Sequence, residues 1–265
     1  MSNTLLSPKE IAQGIIQTGI TKTKLSYIQM VGLSILAGIY IGFGGFGAIT
    51  ISQRMSSIDV GLSKVLFSMI FPIGLMLVVT CGAELFTGNH LMSLGVLSGE
   101  YSMKKVLRNW IVVYAGNFIG SILFAQMIFY SGLTNGPIKE ILLSLSVSKI
   151  NIPVTELILR GILCNMLVVL AIWMGTGAKD LISKLFACWA PIMLFVLCGF
   201  EHSIANMFFI PMGKFLGSDI SWMDIWFHNI IPVTIGNLLG GALMIPIFYF
   251  FIYIKNDAQK TSSSS

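Results

Sequence analysis

Charged residues are scarce in this chain. Only 10% of its 265 residues are Asp, Glu, Lys or Arg, whereas a soluble domain carries roughly 25%. A folded protein of this size needs a largely polar covering in water. The composition therefore excludes an ordinary soluble globular protein and predicts one that lies in a lipid bilayer.

Other scarcities exclude several functions. The four cysteines do not follow the spacing of a secreted disulfide framework, and the three histidines do not form the His-Glu-x-x-His pattern of zinc proteases. We therefore expect no metal, no cofactor and no catalytic residue, and the chain is predicted not to be an enzyme. The net charge of +5 is not gathered into a basic patch with aromatic residues, so no nucleic acid is expected as a partner.

Long apolar runs are abundant. About 20 apolar residues in a row span a bilayer, and six such runs lie at 28–51, 62–86, 106–130, 154–175, 183–212 and 229–254. Continuous runs indicate helices, because barrel strands give short alternating segments. The predicted fold class is an all-α membrane protein with six transmembrane helices.

The chain divides into three predicted parts. Residues 1–25 form a cytoplasmic N-terminal segment with an amphipathic helix, 26–256 the six-helix transmembrane domain, and 257–265 a disordered cytoplasmic tail. The cytoplasmic placement follows from ten Lys and Arg residues on the side of the termini, against six of the 16 on the other side.

A helix is predicted to begin near residue 7. Ser7, Pro8 and Glu10 fit the N-cap, N1 and N3 positions of a capping box. Ile11 and Ile15 then fall on one face, which suits a helix lying along the membrane surface. A solvated leader is the alternative.

Two similar segments interrupt the second and fifth runs. Residues 82–89 and 199–206 both read G-x-E-x-x-x-x-N, and they occupy equivalent places in two halves of three spans each. An odd number of spans reverses the direction of the second half, so the pattern predicts an inverted repeat. Broken helices that meet in the membrane indicate a solute path.

Each break carries a glutamate inside an apolar run. A charged side chain is costly there, so Glu84, Glu201 and His202 are functional candidates. For the two glutamates we favour a structural role, in which the carboxylates accept hydrogen bonds from backbone N–H groups freed at the breaks. Asn89 and Asn206, which end the two motifs, are assigned the same structural role.

The two segments resemble a known family. GAELFT at 82–87 and GFEHSIANM at 199–207 are similar to the signature segments of the formate/nitrite transporter family. The resemblance implies an aquaporin-like protomer, a homopentamer with one anion pore in each protomer, and the bacterial plasma membrane. Within the family the chain looks most like the hydrosulfide channels, although formate channels share the motifs. It departs from the family at Gly88, Asn89 and His90, directly after Thr87.

The resemblance also implies site residues. The pore or substrate residues would be His202, Thr87, Lys149 and Asn165. Lys149, in an outer loop, would supply positive potential, while the other three would donate hydrogen bonds. The apolar constrictions would be Phe71, Leu75, Leu85 and Phe195.

The predicted function is a membrane channel domain that conducts small monovalent anions of weak acids. Hydrosulfide is the favoured solute, with formate and nitrite also permeant. The solute crosses as an anion, or as a neutral acid after His202 lends a proton, and the sequence leaves both routes open. The alternative function is a proton-coupled formate or nitrite secondary transporter.

Overall fold

A computed structural model describes residues 5–255 of the chain. The predicted tail at 257–265 lies outside the described residues. Between residues 5 and 255 the longer elements are helices, and in chain order they are α1 (Pro8–Thr23), α2 (Tyr27–Ser52), α3 (Val60–Ile70), α4 (Ile73–Thr80), α5 (Ser93–Leu97), α6 (Met103–Tyr130), α7 (Pro137–Ile150), α8 (Val154–Gly177), α9 (Leu181–Leu197), α10 (Ser203–Phe215) and α11 (Trp222–Lys255). A short 3₁₀ helix at Gly88–Met92 precedes α5.

The helices confirm the all-helical membrane class. Within residues 5–255, five helical segments are long and apolar enough to cross a bilayer, namely Tyr27–Ser57, Val60–Thr80, Met103–Tyr130, Val154–Gly177 and Trp222–Lys255. The predicted fifth span at 183–212 is instead divided between α9, a shorter apolar helix of 17 residues, and α10. By length alone, the count is therefore five and not six.

The two predicted breaks are present. Helix α4 ends before Gly82 and helix α9 before Gly199, and these glycines have φ angles of 78° and 73°. A left-handed residue ends a helix, and glycine adopts it without a steric penalty. The chain becomes helical again at Gly88–Met92 after the first break and at Ser203 after the second.

Helix α1 has the predicted cap but a different partner. Ser7 N–H donates to Glu10 Oε2 at 2.7 Å and Glu10 N–H donates to Ser7 Oγ at 3.4 Å, which completes the capping box. The apolar face, however, is buried against protein, where Ile11 and Ile15 pack in a cluster with Trp173. This corrects the expectation that the face lies on the membrane surface.

Close helix packing depends on glycine in both halves. A Cβ on Gly38 of α2 would lie 2.7 Å from the Ser121 backbone nitrogen in α6. A Cβ on Gly161 of α8 would lie 3.1 Å from the Gly236 Cα in α11. These approaches leave no room for a side chain, so the glycines allow the helix backbones to touch.

Candidate functional site

Each break is tied to a neighbouring helix through its backbone. Glu84 N–H donates to the Leu33 carbonyl in α2 at 3.2 Å, and Glu201 N–H donates to the Arg160 carbonyl in α8 at 3.3 Å. The same bond therefore occurs twice, at equivalent positions of the two motifs. It satisfies a backbone donor that has no partner within its own broken helix.

At each break a buried asparagine side chain forms hydrogen bonds with the backbone groups that the interrupted helix leaves unpaired. Asn117 in α6 accepts from Phe86 N–H at 2.9 Å and donates to the Glu84 carbonyl at 2.9 Å. Asn237 in α11 accepts from Ser203 N–H at 2.9 Å and donates to the Glu201 carbonyl at 3.0 Å. The freed backbone groups are thus held by asparagine side chains, which the sequence analysis missed.

The first glutamate is held by charged and amide side chains. The Glu84 carboxylate pairs with Lys22 at the end of α1 and accepts from Asn89 Nδ2 at 2.6 Å. The Asn89 amide also donates to Asn109 Oδ1 at 2.8 Å. The sequence analysis did not predict a role for Lys22 at this break. Its ion pair with Glu84 connects α1 to the interior of the protein.

The second glutamate repeats this arrangement. Both Glu201 oxygens lie 2.8 Å from Lys149 Nζ, and Glu201 Oε2 accepts from Asn206 Nδ2 at 2.7 Å. The Asn206 amide also donates to Asn229 Oδ1 at 2.7 Å. Both carboxylates therefore bond side chains, and not the freed backbone N–H groups that the sequence analysis expected.

Lys149 is placed differently from the prediction. It lies in the last turn of α7, a helix of 14 residues that the sequence analysis read as loop. Its side chain is only 13% exposed and pairs with Glu201. A nearby carboxylate offsets most of its field, so Lys149 does not stand as an isolated positive charge.

His202 and Thr87 meet although they are 115 residues apart. His202 is the N-cap of α10, and its Nδ1 lies 3.2 Å from Ala205 N–H. A backbone N–H can only donate, so Nδ1 accepts and the neutral imidazole carries its proton on Nε2. Nε2 then donates to Thr87 Oγ1 at 2.8 Å, which leaves the Thr87 hydroxyl hydrogen available to another acceptor.

A cavity of about 1110 Å³ leads to His202. We call it the vestibule. Its charged lining residues are Arg54, Lys64, Glu140, Lys149, Arg160 and Glu201. Four basic side chains against two acidic ones give the vestibule an excess of positive charge, which raises the local concentration of anions.

Aromatic rings surround the inner end of the vestibule. Phe71 and Phe195 both line it, with ring centroids 5.9 Å apart, and the Phe195 ring stacks at 5.9 Å on the His202 imidazole. The other two predicted constriction residues, Leu75 and Leu85, are buried but are not among the vestibule lining. The structure thus brings two of the four together at this point.

Asn165 is buried near Thr87 but does not offer a free donor. Its Nδ2 lies 2.5 Å from His90 Nδ1, 2.8 Å from the Asn237 carbonyl and 3.4 Å from the Thr87 carbonyl. These acceptors occupy both amide hydrogens. Among residues 5–255 the Asn165 Oδ1 has no hydrogen-bond partner, so the expected role of Asn165 as a donor to the solute is corrected.

The sequence as a whole matches one family. The formate/nitrite transporter model aligns with residues 9–251. The chain belongs to the formate/nitrite transporter family. The probable formate transporter of Methanothermobacter thermautotrophicus is 36% identical over 274 residues, which cover 96% of this chain and 100% of that protein. The formate channel FocA of Escherichia coli (strain K12) is 33% identical and is covered over 96% of both chains.

Solved structures of the formate/nitrite transporter family have the same fold. A pentameric formate channel with formate bound superposes with a TM-score of 0.77 at 31% identity, over 86% of this chain and 98% of that one. An FNT family ion channel gives a TM-score of 0.82 at 28% identity, over 91% and 98%. The relatives are channels and transporters and not enzymes, which confirms that prediction. Membership of the family is confirmed, but these relatives do not show that the chain belongs to the hydrosulfide branch.

The residues missed in this member of the formate/nitrite transporter family share a signal. They are fully buried polar side chains in or close to the long apolar runs, namely His90, Asn109, Asn117, Asn229 and Asn237. A polar residue in a membrane span is rare enough to mark a packing or functional contact. Their presence was readable from the sequence, but their partners come from other helices and were not.

Proposed function

We propose that the chain is a membrane channel for small monovalent anions of weak acids. The observation that supports this function is the buried hydrogen bond between His202 and Thr87 at the inner end of the positively charged vestibule. An anion that passes the rings of Phe71 and Phe195 must lose water, which costs several kcal/mol. The free Thr87 hydroxyl is a donor that offsets part of this cost.

The vestibule and the hydrogen-bonded centre have different tasks in this proposal. Arg54 and Lys64 attract anions through their field, whereas Arg160 is paired with Glu156 at 2.6 Å and adds less. The centre offers a neutral donor, so binding stays weak enough for release. A hydroxyl hydrogen offers no ligand to a cation, and the positive charge of the vestibule disfavours cation entry.

Three solutes fit the proposal. Hydrosulfide, formate and nitrite are small, monovalent conjugate bases, and each accepts a hydrogen bond. Formate is the solute in the names of the relatives. Hydrosulfide is the solute implied by the resemblance of the chain to the hydrosulfide channels, although formate channels share the two motifs. We propose that all three permeate.

The proposed architecture has six spans in an inverted, aquaporin-like repeat, with α9 and α10 as the two parts of a broken fifth span. The paired contacts of Glu84 and Glu201 support it. A homopentamer with one pore in each protomer is supported by the pentameric formate channel. The lysine and arginine count supports cytoplasmic termini, and the bacterial plasma membrane is proposed from the family resemblance alone.

Currents across planar bilayers test this function. Purified protein is offered hydrosulfide, formate, nitrite and chloride in turn, with His202→Phe as the comparison variant because an aromatic ring is kept and both nitrogens are lost. We expect anion currents from the wild-type protein. Absence of current, together with formate uptake driven by a pH gradient in proteoliposomes, would instead identify a proton-coupled carrier.

A further inference from the structure

His90 lies on the same face of the chain as Thr87. The two residues are three positions apart, at the start and within the 3₁₀ helix Gly88–Met92. Side chains three apart eclipse one another in a 3₁₀ helix. Asn165 Nδ2 reaches both of them, at 3.4 Å from the Thr87 carbonyl and 2.5 Å from His90 Nδ1. His90 is therefore linked through Asn165 and Thr87 to His202.

The two halves differ at the positions around this site. Residues with the same contacts in both halves, such as Glu84 and Glu201, hold the breaks. When the two motifs are aligned, Thr87 corresponds to Ile204, Leu85 to His202 and His90 to Met207. When Lys22 is aligned with Lys149, Gly38 corresponds to Asn165. Each polar residue of the site therefore has an apolar counterpart in the other half. His90 therefore shares with Thr87 and His202 the lack of a polar counterpart in the other half.

The bonding of His90 fixes its proton. The Asn165 amide nitrogen can only donate, so His90 Nδ1 accepts and the neutral ring carries its hydrogen on Nε2. His90 is fully buried, and within the described part of the chain Nε2 has no hydrogen-bond partner. The imidazole is held edge-to-face by Phe86 and Trp110, at centroid distances of 4.5 and 5.1 Å. A buried N–H without a partner is costly, and in dry surroundings it binds an acceptor strongly.

We propose that His90 is a second anion-binding histidine of the pore, whose Nε2–H donates to the permeating anion while Nδ1 anchors the ring to Asn165. This inference rests on the proposed function and adds a residue to its site. It replaces the donor that the Asn165 amide does not offer. The ligands are small anions with an oxygen or sulfur acceptor, such as formate and hydrosulfide.

Three substitutions separate the two nitrogens of His90. His90→Gln keeps a donor where Nε2 stood, His90→Asn keeps an acceptor where Nδ1 stood, and His90→Met keeps neither. We expect formate flux in proteoliposomes to stay within about threefold of wild type for His90→Gln and to fall about tenfold for the other two, because hydrogen bonds to charged groups are strong. Met207→Leu is the matched control for packing at the paired position and leaves flux unchanged. Size-exclusion chromatography checks assembly of each variant.

Nitrogen NMR of the imidazoles tests the inference without a flux measurement. In protein with ¹⁵N-labelled histidine, His90 and His202 are both expected to carry hydrogen on Nε2, and His90→Gln assigns the His90 signals. Adding formate shifts the His90 Nε2 signal, whereas gluconate, which is too large for the site, does not.

The outcomes are distinct. Assembled His90→Asn or His90→Met with flux within twofold of wild type overturns the inference. A His90 hydrogen on Nδ1, or an Nε2 signal that formate leaves unchanged because the N–H points to an aromatic ring, overturns it as well. Absence of any anion flux in wild-type protein contradicts the proposed function, and in that case the formate response of Nε2 still decides the role of His90.

Discussion

Removal of the Lys149 ammonium tests whether this residue acts alone or as half of an ion pair. Lys149 Nζ lies 2.8 Å from both Glu201 oxygens, and the two side chains are 13% and 6% exposed. Breaking a buried pair costs about 3–5 kcal/mol, because one charge is left without a partner. Lys149 keeps some contact with solvent, so we expect about 3 kcal/mol for Lys149→Ala.

The same substitution changes the field that a passing anion meets. An isolated charge at about 10 Å contributes about 1.7 kcal/mol at an effective dielectric constant of 20. Lys149 and Glu201 largely cancel each other, whereas Lys149→Ala leaves the Glu201 carboxylate uncompensated. We therefore expect formate flux to fall about tenfold or more in Lys149→Ala. Lys149→Arg keeps the pair and much of the flux.

The double variant Lys149→Ala with Glu201→Gln decides between the two explanations. It removes both charges, so flux is expected to return to within about threefold of wild type, and part of the lost thermal stability returns with it. Formate uptake into proteoliposomes and thermal unfolding in detergent are the measurements. Lys64→Ala, at an exposed vestibule residue, is the control for a change of field without a broken pair. Equal flux loss in the single and double variants would refute the ion-pair explanation.

Three further predictions concern His202, the constriction residues and the N-cap of α1. His202→Phe lowers anion flux or abolishes its pH dependence, and unchanged flux with an unchanged pH profile contradicts a central role. Leu75→Ala with Phe195→Ala is expected to raise acetate flux relative to hydrosulfide flux, because the proposed constriction at these side chains would limit the size and hydration of the solute. An unchanged ratio in assembled protein means that they only pack against helices. The hydrogen bond from the Ser7 hydroxyl lowers the pKa of Glu10 below its ordinary value of 4.5. The stability that this carboxylate contributes is therefore complete above pH 4.5, and it is lost as the pH falls through the lowered pKa of the folded protein. Amide exchange in α1 is expected to accelerate there, and Ser7→Ala is expected to remove the pH dependence.

The sequence predicted the helical class and both breaks because each has a local cause. Apolar runs near bilayer length indicate helices, and glycine followed by a buried glutamate marks both interruptions. The capping box of α1 was predicted for the same reason, since Ser7 and Glu10 are three residues apart. Features of this kind depend on neighbours in the chain and not on tertiary contacts.

The missed features depend on contacts between distant residues. Lys22 reaches Glu84 across 62 positions, and Lys149 reaches Glu201 across 52. No spacing in the sequence distinguishes these lysines from ones in a solvated loop. Helix α7 was missed because its mixed serine, lysine and leucine pattern resembles a loop between spans, although Pro137 stands at its first position.

Under the proposed function, His202 links solute transport to the first turn of α10. The neutral ring accepts Ala205 N–H on Nδ1 at 3.2 Å and donates from Nε2 to Thr87. A histidine that lends a proton must first hold two, and the second hydrogen would stand on Nδ1 against Ala205 N–H. Loss of an N-cap costs about 0.5–2 kcal/mol.

Transport of the bare anion makes no such demand on the helix. A proton-lending route therefore predicts faster amide exchange at Ala205 while formate moves down a pH gradient, and an anion route predicts no change. His202→Asn keeps a capping side chain that takes no proton, so it is the matched control and leaves exchange at Ala205 independent of the gradient. Proton-coupled transport with unaltered exchange at Ala205 in wild-type protein would contradict the link between the two.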